Sequence, residues 1–240
     1  MDRAMLSAAP RPRPGGEMLG ALLRIALPVC IATVVTNLTS VIDLTTVLTR
    51  LDVAIKANPE LFHERYAEVL ASGIAASELP NFLHGSYQAI VITLFNIIPS
   101  LTATFGTSAL PAVASAWAVG NKQALGRNIE AVVRITSLVA IPAGLGLAAM
   151  ANPILDTLYH DRALEIAAVA PLLRIMGVAA IFAALVTPIY ACLQVVGRQD
   201  LPVKLVLLGA GLKFALNYLL TGIPEIGIAG AAISSIVSFA

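Results

Sequence analysis

Asp43, Arg174 and Lys213 are ionisable residues standing inside stretches otherwise too apolar to face water. A charged side chain at a helix centre costs about 2.5 to 3.5 kcal/mol on membrane-insertion scales, so each demands a counter-charge, a wet cavity or a ligand. At 1.5 Å per residue, Asp43 lies about 10 Å, Lys213 about 12 Å and Arg174 about 15 Å from the outer ends of their segments. A carboxylate and two cations at a shared depth predict a mutually neutralising cluster lining a water-filled or ligand-filled cavity. Lys213 and Asn217, four residues apart, fall on one helix face.

Uncharged polar residues extend the same pattern. Thr33, Thr36, Asn37, Ser40 and Asp43 fall within about 120° of a helix circumference, and Thr93, Asn96, Ser100, Thr104 and Thr107 within about 80°. Asn37, Ser40, Asn96 and Ser100 are therefore candidate cavity residues. The competing explanation is that such groups simply bond between helices, at about 0.6 kcal/mol each.

The elements that must carry these side chains are membrane spans. Of 240 residues, 58% are hydrophobic and 12% charged, with a mean hydropathy of +0.86, which excludes a water-soluble fold. A net charge of +1 offers no basic field for nucleic acid. Cys30 and Cys192 both lie in apolar runs, as buried thiols and not as a disulfide framework. A bilayer core takes roughly 20 apolar residues as helix. Residues 25–49, 89–119, 135–155, 166–196 and 205–221 meet or approach that length. A further stretch, 226–240, starts as a span and stops after about 15 residues, short of a crossing. It carries no stop signal, which suggests a chain cut within a helix.

Basic residues collect near alternate ends: Arg3, Arg11, Arg13 and Arg24; then Lys122, Arg127 and Arg134; then Arg198 and Lys204. These faces, and with them the N-terminus, are expected to be cytoplasmic. Residues 1–18, with APRPRPGG, read as a flexible cytoplasmic segment, and 19–240 as one transmembrane domain. The polar connection 52–86 is an outward insertion. Within it Leu61, Tyr66, Val69 and Leu70, behind Pro59, predict an amphipathic helix on the outer surface. Pro28, Pro99, Pro111, Pro142, Pro171 and Pro188 predict bent spans, and Gly144 with Ala148 and Gly227 with Ala231 predict close helix packing.

Enzyme chemistry has little to stand on. His63, His84 and His160 fall at unrelated spacings outside the apolar runs, and no nucleophile has a plausible base. Asp156 and Asp161, the local candidates for an outward acidic pair, read as loop solubilisers. No cofactor and no metal site are expected.

Several runs resemble a known family. LLRIALP with Pro28 and VIDLTTVLTRL with Asp43 and Arg50 are similar to the first helix of the C-terminal lobe in the MOP exporters. That superfamily includes the MurJ-type lipid II flippases, the stage V sporulation protein B group, the polysaccharide-unit flippases and the MATE drug exporters. SALPAVASAWAVGNKQAL, IPAGLGLAAMANPIL, LYHD, CLQVVGRQDLPVKLVLLGAGLKFALNYLL and GIAGAAISS follow in the expected order. The ordered set resembles the sporulation-type and polysaccharide-type branches more than the drug exporters.

The resemblance implies an all-α polytopic membrane bundle, about six transmembrane helices forming one lobe, the last truncated, with the N-terminal lobe missing. It implies transport of an undecaprenyl-pyrophosphate-linked saccharide or peptidoglycan precursor across the bacterial cytoplasmic membrane. Arg174 would contact phosphate or sugar, and Lys213 would act as a switchable charge with Asp43 as counter-ion. The alternatives are a MATE-type cation or drug antiporter and a non-transporting scaffold for envelope assembly. Some sodium-coupled relatives use a carboxylate at the position matched by Asp43 together with polar or acidic groups on the lobe's fifth helix. Here the Lys213 ammonium is expected to occupy that neighbourhood, pair with Asp43 and leave no sodium site.

Overall fold

With no water available in hydrocarbon, every backbone amide must be satisfied within its own segment, and a chain this apolar resolves that by becoming helical. The computed structural model describes residues 15–198 and 200–240, with some side chains between 15 and 42 left out. The basic end at Arg3, Arg11 and Arg13 lies outside the described residues, as do the side chains of Arg24, Pro28, Thr33 and Thr36.

The described chain is an all-α, multi-pass membrane bundle. Helix α1 is Gly15–Ala57, and two short helices follow, α2 (Pro59–Arg65) and α3 (Ala67–Ala71). Next comes one continuous rod: α4 (Leu79–Ser86), a π-helical segment (Tyr87–Ile92) and α5 (Thr93–Ala118). The rest is α6 (Lys122–Ala149), α7 (Ala151–Leu158), α8 (Ala163–Val195), α9 (Asp200–Leu220) and α10 (Ala229–Phe239). Among the described residues four helices are long and apolar enough to cross a membrane: Leu79–Ala118, Lys122–Ala149, Ala163–Val195 and Asp200–Leu220.

Helix α8 is the central post, packed by α5, α6 and α10, while α1 sits mainly against α9 and α4. Glycine permits the closest approach. A Cβ on Gly177 of α8 would lie 2.7 Å from both the Ala148 nitrogen and the Gly144 oxygen of α6, so the expected small face at Gly144 and Ala148 is met by a glycine opposite. Pro99, Pro111, Pro142, Pro171 and Pro188 lie inside helices. Pro188 withholds an amide from the Ala184 carbonyl one turn back, and the Thr102 hydroxyl of α5 lies 3.3 Å from that oxygen.

Several sequence expectations need correction. The span expected at 135–155 instead begins at Lys122, where Asn121 accepts the Ala124 amide at 3.0 Å as an N-cap, and it ends at Ala149. The end of the insertion is not loop, because 79–86 is helix continuous with the next span. His84 therefore stands on this rod and not on a loop, and it is buried in the protein. The insertion's amphipathic helix is broken at Tyr66, and its buried anchors are Phe62, Tyr66 and Val69, with Leu61 only half-buried. Phe62 packs near Gly227, which is a turn residue at φ +53 and not part of a helix face. Gly230 is the residue that seats α10, since a Cβ there would lie 2.7 Å from the Thr221 nitrogen.

Candidate functional site

The site begins with the four-residue repeat Lys213, Asn217, Thr221 down one face of α9 and its end. Opposite it α1 presents Asp43, 8% exposed. The Lys213 Nζ donates to Asp43 Oδ2 at 2.6 Å, and Asn217 Nδ2 donates to Asp43 Oδ1. Asn217 is fully buried, and its Oδ1 accepts from Ser234 at 3.2 Å and from Thr221 at 3.4 Å. Ser234 comes from α10, one turn after Gly230, so the close seating at that glycine delivers the hydroxyl.

Each polar group answers another. One carboxylate takes an ammonium and an amide, and the amide oxygen takes two hydroxyls. An isolated charge would be prohibitive here, whereas a paired and hydrogen-bonded one is tolerated. The oxygens of Asp43, Asn217, Thr221 and Ser234 form a hard-donor set of the kind that suits a small cation, and Lys213 brings its own positive charge to it. Among the described residues no group of three or more His, Cys, Asp or Glu is placed to hold a metal ion.

A second ring of buried polar groups adjoins the pair. Tyr87, on the π-helical segment, donates its hydroxyl to the Met176 sulfur of α8 at 3.5 Å. His84, one turn earlier, is 5% exposed, and its Nδ1 has no hydrogen-bond partner among the described residues. The charges of both Asp43 and Lys213 act on it. π-Helical turns inside α-helices are frequent at functional sites, and this one begins beside the ion pair.

Arg174 is not part of this cluster, contrary to the expectation of three neutralising charges. It is exposed on α8, and its Nη2 lies 3.4 Å from Asn152 Oδ1. Asp43 instead takes its donors from α9, Lys213 and Asn217. Asn37, Ser40, Asn96 and Ser100 are all exposed on the surface of the lobe. The hydroxyls beside them largely turn back on their own helices: Thr104 to Leu101, Thr107 and Ser108 to Thr104, Thr45 to Val41. Of the first stripe Asp43 belongs to the ionic cluster, while Thr93, Asn96, Ser100, Thr104 and Thr107 of the second are exposed. Sequence reasoning did not find His84, Tyr87, Thr221 and Ser234. The continued four-residue spacing to Thr221 was the one available signal.

A bundle of spans built around a buried ion pair defines a polytopic helical membrane protein. The MatE family model matches residues 86–219, more than half of the chain. The chain therefore belongs to the MatE family, transporters of the MOP superfamily. It is also 26% identical over 153 residues to "Uncharacterized membrane protein MJ1068" of Methanocaldococcus jannaschii; the match covers 64% of this chain and 29% of that protein. No solved structure gives a significant match.

Proposed function

We propose that this chain is one lobe of a carrier that moves a lipid-linked anionic saccharide, such as an undecaprenyl-pyrophosphate-linked unit or peptidoglycan precursor, across the bacterial cytoplasmic membrane, with its N-terminus inside. The observation that carries this is the separation of the charges. Asp43 and Lys213 cancel each other in the interior, while the guanidinium of Arg174 is exposed on a spanning helix beside a neutral amide. Arg174 is thus an exposed cation with no acidic partner among the described residues, and Asn37, Ser40, Asn96 and Ser100 are exposed elsewhere on the spans. Such groups suit a phosphate-bearing, hydroxyl-rich cargo, with the planar guanidinium binding phosphate oxygens in pairs and the lipid tail left in the bilayer. A second lobe and surrounding lipid would complete the passage, and lobe rocking would carry the load.

Membership of the MatE family keeps a cation or drug antiporter as the second reading. Such a carrier wants an accessible carboxylate, and here Asp43 is buried and occupied. A non-transporting envelope scaffold would show no dependence on any of these residues.

The test is complementation of a flippase-depleted strain by the full-length gene, with lipid-linked precursors quantified. Arg174→Ala is expected to let precursor accumulate, and Arg174→Lys to restore export partly. Normal precursor levels with Arg174→Ala at wild-type expression would refute the anionic-cargo reading.

A further inference from the structure

His84 is a buried imidazole that nothing in the proposed transport surface uses. It is 5% exposed, its Nδ1 is without a hydrogen-bond partner among the described residues, and its ring centre lies 6.5 Å from that of Tyr87. A buried polar atom normally has a partner, so an orphan one in a satisfied network calls for an explanation. The other members of this neighbourhood have partners: Asp43 in Lys213 and Asn217, Asn217 in Thr221 and Ser234, Tyr87 in the Met176 sulfur.

The groups around His84 can be named element by element. From α1 comes Asp43 and from α9 Lys213, whose charges both act on it. Its own rod contributes the Tyr87 phenol. Helix α8, also packed here, brings the uncharged Met176 to Tyr87 and carries its ionisable Glu165 half-buried and Arg174 exposed. One anion and one cation are already matched, so an added proton makes two cations compete for one carboxylate. Histidine is the side chain whose charge changes between about pH 5 and 8.

We infer that His84 is a proton-binding site that opens the clasp between α1 and α9: an imidazolium formed there repels the Lys213 ammonium and competes with it for Asp43. Losing Asp43 frees Lys213 and Asn217 together, because both donate to that one carboxylate. The π-helical segment immediately after His84 supplies a backbone already departing from α-helical bonding, where such a shift is most easily absorbed. The inference rests on the carrier reading for its purpose. Its test uses protonation and helix separation without any cargo, so the two can fail independently.

The full chain, labelled with ¹⁵N-histidine and placed in lipid nanodiscs, is titrated by NMR from pH 5 to 9. His63 and His160, both exposed, serve as internal references. The His84 signal is expected to titrate at higher pH in Lys213→Met and at lower pH in Asp43→Asn, by about one pH unit or more, while the two references stay fixed. In parallel, spin labels at Val41 and Leu208, exposed positions on α1 and α9 on the far side of the Asp43–Lys213 clasp from the Arg50–Tyr218 contact, report separation by dipolar broadening in a cysteine-free background. Broadening is expected to fall on acidification in the wild type and to become pH-independent in His84→Gln. A His84 midpoint unmoved by Lys213→Met would overturn the proposal, as would acid-induced separation that persists in His84→Gln.

Discussion

Removing one member of the Asp43–Lys213 pair leaves the other charged in a place that hydration barely reaches. The side chains are 9% and 21% exposed and 2.6 Å apart. Breaking a buried pair from one side costs about 3 to 5 kcal/mol, mostly the penalty of the abandoned charge. Lys213 keeps some contact with its surroundings outside the protein, so the lower end applies: about 3 kcal/mol each for Asp43→Asn and Lys213→Met. In the double variant no charge remains, the amide that replaces the Asp43 carboxylate still offers an oxygen to Asn217, and methionine fills most of the lysine's volume. Its loss should not exceed that of either single change, so the cycle closes on a coupling of about 3 kcal/mol or more, the top of the range for contacting residues. The measurement is reversible unfolding of the full chain in mixed micelles, followed by circular dichroism at matched detergent composition. Additive single losses would refute the reasoning, since they would mean that the two charges are stabilised by their surroundings and not by one another.

Three further outcomes follow from the packing. Gly177→Ala is expected to destabilise by about 1 to 3 kcal/mol, because its Cβ would stand 2.7 Å from backbone atoms of α6 that cannot withdraw; an unchanged unfolding midpoint would count against that contact. Thr102→Val should cost about 1 kcal/mol by stranding the Ala184 carbonyl, and little in a Pro188→Ala background where the helix supplies its own amide; a double-mutant cycle reads the difference. Burial raises the Tyr66 phenol above its usual 10.0, with Arg65 opposing. The folded state then holds that proton more tightly than the unfolded one, so stability is full below pH 10.0 and declines as the solution becomes more alkaline. Tyr66→Phe should flatten that alkaline decline in a pH series of unfolding midpoints.

How much of this was legible in the sequence depended on periodicity. Hydropathy over windows the length of a bilayer located the spans, and the four-residue spacing of Lys213 and Asn217 located one face of the cluster. Depth counting placed Asp43 level with Lys213, and the structure joins them. The same counting also placed Arg174 level with both, and there it misled. Depth says nothing about azimuth, and Arg174 projects from the exposed side of α8 toward Asn152. His84 was invisible for a different reason. LPNFLHGS has no long apolar run, yet Leu79, Leu83 and Tyr87 repeat every four residues and bury the imidazole with them. A window average suppresses so short an amphipathic signal. Ser234 sat in a small-residue run that reads as packing until the partner helix is in place.

The 52–86 insertion explains why the cluster stays in register. Helix α1 reaches the rest of the lobe chiefly through α9 and α4, so it needs fixing at more than one level. Below, Asp43 grips Lys213 and Asn217. Higher up, the Arg50 guanidinium lies 4.3 Å from the centre of the Tyr218 ring, and its Nε donates to the Tyr218 carbonyl at 2.9 Å. A Cβ at Gly222 would collide with that guanidinium. At the end, Arg65 of the insertion donates to the Glu225 carbonyl at 3.1 Å, and Phe62 fills the space beside Gly227. The upper two attachments use backbone carbonyls and ring faces, which do not titrate, while the lowest is ionic and adjoins His84. A pH change would thus loosen α1 from α9 at one level only, turning a uniform separation into a hinge at the Arg50–Tyr218 contact.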